Sequence, residues 1–437
     1  MCSARQRPAD GLRPTAMADT VLLEERPAEQ LPAEPVQPEA PKEKKKFRLT
    51  KYRIFLIVLI AVLAAIWGIF QMQSASDFWL NRVHPACADL IGSITAKIPV
   101  PVNEIAVAAA AVLGVLLIVF LILLIFLRKR AKYRRFVGGY FKTLLVIAVI
   151  AAGFSFIFDA WLLRSSVLGE TDYTAREHTL EEVVALCDRW QTEVNGLIDK
   201  VDRDKNHHFI RRTEEEIRAD LMKTRVKLSA EYGRFTIDPP PEKLSFVSPA
   251  LHNFGIAAYT TTPTMEIVFS DRYEAAAVFP SVYAHEFSHY CGYWREDEAN
   301  YLGFRLCDLS EDPNIRYAGY IDIWTDLMDA LDKAFFGDAP VNHDDEGYLA
   351  LCEELVQFED QEHLLLFICD RSTNYKLYHE LRGEEDSTPP KPDYGTLPEG
   401  VGEIVSDAGE KHFENLRDKL GAHYYDGVVQ LMLDHME

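Results

Sequence analysis

Phe279-Pro-Ser-Val-Tyr-Ala-His285-Glu286-Phe-Ser-His289-Tyr-Cys-Gly292-Tyr-Trp-Arg-Glu296-Asp-Glu298-Ala-Asn300 is the stretch on which the reading of this chain turns. His285 and His289 are spaced i, i+4, so on a helix they share one face and their imidazoles can meet a single cation. Glu286 then stands beside them, facing a water that the cation activates, where a carboxylate can take a proton and pass it to a leaving amine. These residue types point to Zn2+, held by two imidazoles and a carboxylate with a fourth position open. Pro280 suits the start of the helix and Gly292 its end. A helix that stops at glycine and turns back lays the next one antiparallel beside it, so one acidic residue of Arg295-Glu-Asp-Glu-Ala-Asn300 is expected to complete the site.

Two residues compete for that role. Glu296-x-x-Ala-Asn300 resembles the Glu-x-x-Ala-Asp/Asn signature of gluzincin-type zinc peptidases, among them the prenyl-protein and heat-shock membrane peptidases, and that likeness implies Glu296 as ligand with Asn300 supporting it. Counting back along a plain hairpin matches Glu298 at least as well. The third ligand is therefore Glu296 or Glu298, and a solvated acidic turn at a helix start is the alternative for both.

Outward from this block the composition changes sharply. Residues 1–46 are rich in Pro, Ala and Glu, too poor in apolar surface to fold alone, and are expected to form a disordered cytosolic tail. Met17 offers a second start, and neither start is followed by a secretory signal peptide. Three apolar runs come next, about 54–70, 105–127 and 141–163, each long enough for a transmembrane helix. Basic residues crowd before the first, at Lys42–Arg53, and between the second and third, at Arg128–Arg135, whereas Gln71–Glu104 has only Arg82 and Lys97. Basic segments stay inside, so the amino terminus is expected in the cytoplasm and residues 164–437 outside the cytoplasmic membrane. Up to Trp161 Lys and Arg outnumber Asp and Glu by 20 to 12, so the residues from Leu162 onward carry −29 against a formal −21 for the whole chain. Such an acidic domain is a poor nucleic-acid partner.

The expected fold is mainly α: three amino-terminal transmembrane helices followed by an α+β domain with a small sheet. Thr179-x-x-Glu182 and Thr213-x-x-Glu216 read as capping boxes opening helices over about 179–203 and 213–232. Short β-type runs at Leu244–Val247 and Glu266–Phe269 predict the sheet, and further helices are expected near 272–291, 295–308, 320–336, 346–382 and 407–436, with a Pro-rich surface loop at 383–402. The seven cysteines suggest no disulfide framework; Cys352 and Cys369 on one predicted helix would stand about 25 Å apart.

Other side chains are candidates with simpler readings beside them. Thr264–Ser270 reads either as an edge strand that pairs an extended substrate or as a purely structural strand. Ser248, Tyr259 and Glu266 are candidates to line a cleft. Tyr317, His423, Tyr424 and Tyr425 are candidate oxyanion donors, though a packed aromatic is the simpler account of each. Solvated loops account for His207-His208 and for Asn342-His-Asp-Asp345. Ala275–Trp294 is apolar-rich but flanked by charges on both sides, which argues against a spanning segment.

The chain resembles the bacterial domain-of-unknown-function family numbered thirty-eight ten. The likeness rests on the membrane helices, Ile98-Pro-Val-Pro101, Lys243-Leu-Ser-Phe-Val-Ser248, the His285–Asn300 block, Arg316-Tyr-Ala-Gly-Tyr320 and Tyr425-Asp-Gly-Val-Val429, and spans about residues 50–437. It implies a zincin-like metallopeptidase domain. The approach to the first histidine, Phe279–Ala284, and the Thr260–Glu266 segment depart from the family pattern, so cleft details do not follow from it. Three functions result: a membrane-anchored zinc peptidase acting on a protein or peptide, a hydrolase of cell-wall peptides or other amides, and a non-catalytic zinc-binding membrane sensor or scaffold. The last has no use for Glu286.

Overall fold

Apolar composition without a polar face makes helices that cannot be covered by this chain alone, and three of them dominate the first part of the computed structural model. It describes residues 49–164, 178–271, 277–337, 339–355, 357–372, 375–382 and 428–433. The predicted tail, the loop at 383–402, and His423, Tyr424 and Tyr425 lie outside the described residues. Every helix and strand belongs to the unit Lys51–Glu437. Helices α1 (Lys51–Phe70), α4 (Val102–Leu127) and α5 (Ala131–Arg164) are long and apolar enough to cross a membrane, the third over Ala131–Phe158. α1 and α4 both pack on α5. Phe70, Trp79 and Trp161 cluster at one end of this bundle, with Trp79 and Trp161 stacked at 4.9 Å, the kind of aromatic grouping that marks a membrane–water boundary.

The link between the first two spans is not a loop. It folds as α2 (Gln73–Phe78), one π-helical turn (Trp79–Val83) and α3 (His84–Thr95). Ser76, Leu80, His84, Ala88, Gly92 and Thr95 recur every three or four residues and are buried, while Phe78, Leu90 and Ile94 point outward. The inner face packs on the domain that follows α5: Tyr290 Oη donates to Ala88 O at 3.1 Å, and Lys243 Nζ donates to Thr95 O at 2.8 Å.

That domain is mainly helical around a small sheet. α6 (Leu180–Ile198) and α7 (Glu214–Leu228) open with the two expected capping boxes, each worth about 1 kcal/mol. β1 (Lys243–Leu244), α8 (Ser248–Asn253), β2 (Ala258–Thr261) and β3 (Glu266–Phe269) follow. The strand order is β1-β3-β2, with β1 parallel and β2 antiparallel to β3. β3 is thus the buried centre of the sheet rather than an edge, and the edge beside it is β2, which the sequence reading did not find.

The remaining helices are α9 (Phe279–Tyr290), α10 (Glu296–Asp308), α11 (Pro313–Asp322), α12 (Trp324–Phe336), α13 (Glu346–Leu355), α14 (Gln361–Ser372) and α15 (Tyr375–Arg382), and residues 428–433 are helical. The strand expected at Leu244–Val247 is confined to Lys243–Leu244, and the first two helices of this domain end short of 203 and 232. Two further differences arise because short caps override periodicity. Asp312 accepts from Asn314 N and starts a helix before residue 320. Asp360 accepts from His363 N at 2.9 Å and starts α14, so Cys352 and Cys369 sit on different helices.

Glu266 holds the sheet to the second span. Pro101 offers no side chain to cap α4, and the Glu266 carboxylate takes that place, accepting from Val102 N at 2.9 Å and Asn103 N at 3.1 Å while paired with Lys243. Both side chains are almost fully buried, so removing one strands the other. Glu266→Ala should cost about 3–5 kcal/mol. It is read as a lower thermal midpoint of the full-length protein in detergent, and pairing Lys243→Met with Glu266→Leu should restore the part due to the stranded charge. An unchanged midpoint for Glu266→Ala would show that the pair holds nothing.

Candidate metal centre

The α9–α10 hairpin is built by its glycines. α9 ends in a Schellman turn: Gly292 N donates to His289 O at 2.9 Å and Tyr293 N to Ser288 O at 3.1 Å, with Gly292 at φ +98°, where a side chain is strained. The turn folds Tyr293 back on the helix so that its carbonyl oxygen lies 2.7 Å from His289 Nδ1. A carbonyl can only accept, so Nδ1 carries a proton, and Nε2 is the nitrogen that faces Glu296. The buried guanidinium of Arg234 donates to Gly292 O at 3.1 Å and to Asn81 Oδ1 at 2.7 Å, tying the turn to the inter-span segment.

Further along, α10 crosses so close to α9 that a Cβ on Gly303 would stand 2.9 Å from His285 N and 3.0 Å from its Cα. This approach carries the start of α10 under the histidines. Glu296 Oε2 lies 3.3 Å from His285 Nε2 and 3.6 Å from His289 Nε2. The three ligand atoms lie within 4.8 Å of one another and can hold a metal ion.

Glu298 goes elsewhere. It is buried, with its carboxylate 3.6 Å from Arg295 Nε, and it does not join the three converging groups. Asn300 is half-buried one turn along α10. Glu286, in the same turn as His285, is buried and accepts from Thr260 Oγ1 at 2.7 Å, and the same hydroxyl reaches Glu286 O at 2.8 Å.

The electrostatics of the group are those of a place prepared for positive charge. Burial alone would lower the pKa of His285, but the Glu296 carboxylate, helped by Glu286 and Asp322, outweighs it and raises it to about 9. Burial would likewise raise Glu296, yet the two imidazoles hold it well below the usual carboxylate range. Asp322, at the end of α11, accepts from Ser281 Oγ at 2.7 Å, and burial pushes its pKa up. Burial and the neighbouring Asp322 and Asp329 raise Asp326 to about 7.

The other sequence candidates are structural or distant. Glu266 caps α4; Ser248 Oγ accepts from Asp271 N at 3.0 Å in the turn into α8. Tyr259 Oη donates to Glu104 Oε1 at 2.9 Å. Tyr317 is a packed aromatic that donates to Asp370 at 2.9 Å, inside a network completed by Arg203. Residues absent from the sequence reading are Thr260, Asp322, Trp294, whose ring stacks on His289 at 5.8 Å, and the Tyr293 carbonyl. Of these only the last had a signal, the glycine three residues after His289 that closes the turn.

The fold thus defines a mainly helical protein with three membrane-length helices and a His-His-Glu cluster on a helical hairpin. The family model described as Protein of unknown function (DUF3810) matches residues 79–341, more than half of the chain, and the chain belongs to that family. The match begins in the inter-span segment and runs past α12, so it contains the whole hairpin. No curated protein and no solved structure matches the chain.

Gly303 is where this geometry is most exposed to substitution. Gly303→Ala forces two backbones apart and should cost about 1–3 kcal/mol. Gly196→Ala, in α6 where nothing lies within 4 Å, should be neutral or stabilising by up to about 1 kcal/mol. Thermal unfolding of the two variants side by side checks this, and equal midpoints would contradict it.

Proposed function

We propose that this chain is a membrane-anchored zinc-dependent metallopeptidase of gluzincin type, with a zincin-like domain outside the cytoplasmic membrane that hydrolyses peptide bonds in a protein or peptide. The observation that carries the reading is the convergence of His285, His289 and Glu296 within 4.8 Å, with Glu286 held alongside. Two imidazole nitrogens and one carboxylate suit Zn2+, and the backbone carbonyl on His289 Nδ1 is the outer partner such ligands usually have. When bound, zinc lowers the pKa of a water to about 7 and polarises a carbonyl.

The chain's own groups supply the rest. Thr260 donates to one oxygen of Glu286, Oε2, and the other, Oε1, would serve as the proton acceptor. Glu286 takes that water's proton and delivers it to the leaving nitrogen. His289 is kept in one orientation by Tyr293 and Trp294, so its contribution needs no rearrangement on binding. A purely structural metal site has no need of an oriented carboxylate beside it, which favours the catalytic reading over the sensor reading.

Orientation follows from the basic ends. Lys51, Arg53 and the Arg128–Arg135 cluster sit at the bundle ends away from Phe70, Val102 and Phe158, where the domain attaches. The positive-inside rule puts those ends in the cytoplasm and the metal centre outside.

Full-length protein is the right sample, because a fragment starting after α5 lacks Leu80, His84 and Ala88 from its core. It should purify with about one zinc per chain by mass spectrometry. His285→Ala, His289→Ala and Glu296→Gln should lose the metal, whereas Glu298→Gln should keep it; zinc retained in both histidine variants would sink the site. Glu286→Gln should keep zinc and lose about 10²–10⁴-fold in rate. Cells carrying Glu286→Gln should accumulate uncut surface or secreted proteins, and profiles identical to wild type would argue against a peptidase.

A further inference from the structure

The hairpin sits between the ends of two membrane-length helices, and each end reaches it through consecutive contacts. On one side the His289 ring stacks on Trp294 at 5.8 Å with the planes 8° apart, and Trp294 meets Phe158, in the last two turns of α5, edge-on at 5.0 Å. His84 packs against the same indole at 6.0 Å. On the other side Glu286 accepts from Thr260, and the adjacent Tyr259 donates to Glu104 and accepts from Asn103 Nδ2, both in the first turn of the second span. The helix carrying His285 and His289 therefore lies a pair of aromatic contacts from the last turns of an apolar helix.

The surface around these ends is apolar as well. Leu244 at the end of β1 and Phe246 and Val247 in the turn after it are 61%, 60% and 48% exposed, and Glu104 Oε2 accepts from Phe246 N at 2.7 Å, which holds that turn beside the start of α4. Phe78, Leu90 and Ile94 project from the outer face of the inter-span helices, whose inner face is spent on the domain. Side chains of this kind at the ends of spans belong in the headgroup region of a bilayer. They hold the centre at the membrane surface rather than above it.

Resting on the hydrolase reading, we infer that the substrate class is membrane-tethered polypeptide, cut within a few residues of where its anchor leaves the hydrocarbon. An extended chain advances about 3.3 Å per residue, so the two ring contacts between His289 and Phe158 correspond to roughly three or four residues. β2, the sheet edge that carries Thr260, is the strand along which an extended segment rising from the membrane can pair. A soluble peptide has no such constraint and gains nothing from a centre held this low.

The test uses full-length protein in zinc-loaded liposomes of mixed neutral and anionic phospholipid, with Glu286→Gln as control. The probes are palmitoylated mixed-sequence peptides, acylated at either end, in two forms: the variable block directly at the acyl group, or separated from it by twelve Gly/Ser residues. Tethering raises the local concentration of both forms alike, so only position separates them. Cleavage mapped by mass spectrometry should fall within about six residues of the acylated end and be at least tenfold faster without the spacer. Equal cutting of both forms, or faster cutting of the same peptides without acyl chains, would overturn the tethered-substrate inference and leave the hydrolase reading standing. Absence of any Glu286-dependent cleavage would overturn both.

Discussion

The backbone of α10 at Gly303 rests on the backbone of α9 at His285, with no room for a single methyl group between them. Everything in the centre depends on that approach. Helices usually pack with axes about 8–10 Å apart, and glycine at a crossing point permits the closest of these distances. At such a distance a carboxylate in the first turn of α10 reaches both imidazoles of α9, and a residue further round that turn, Glu298, is turned away towards Arg295. The choice between the two acids is thus made by a glycine more than a turn beyond the later of them.

Gly292 plays the complementary part at the other end of the hairpin. Its positive φ lets the chain reverse within one turn, and the reversal itself supplies the carbonyl that orients His289. The same reversal places Trp294 on the His289 ring and brings Gly292 O under the Arg234 guanidinium. One turn therefore sets the tautomer of a proposed ligand, covers its face and anchors the hairpin to Asn81. A neighbouring contact is as tight: Tyr290 Oη occupies the space that any side chain at position 92 would need. The helix α3 and the helix that carries His285 and His289 are consequently fitted parts of one core rather than a linker and a domain.

Much of this was legible in the sequence where the signal is local. The i, i+4 histidines, the two capping boxes and the three apolar runs each depend on residues within a few positions of one another, and the elements appear where those patterns lie. What the sequence did not show depends on pairing across the chain. Glu266–Phe269 has the composition of a strand, but whether it is an edge or a centre is decided by β1 and β2, and β2 reads as polar because Thr260 and Tyr259 are spent on Glu286 and Glu104. The segment 346–382 has an unbroken helical period, yet Asp360 caps a new helix within it. The three-to-four-residue period from Ser76 to Thr95 is present in the sequence, but no helix is expected there because the two long apolar runs on either side dominate the pattern.

Tyr259 and Thr260 show how the membrane helices and the centre are joined. Successive residues of a strand point to opposite faces, so two neighbours on β2 can serve two different partners without competing. Tyr259 is held by the first turn of α4 and Thr260 holds Glu286, so two adjacent side chains of one strand join the start of a membrane-length helix to the proposed general base. A shift of α4 along its axis would move Tyr259 and, through the rigid peptide, the hydroxyl that orients Glu286. Because Glu266 also caps α4 from the central strand, the sheet cannot slide to absorb such a shift. The start of α4 is therefore linked to the orientation of the Glu286 carboxylate through two adjacent residues of β2.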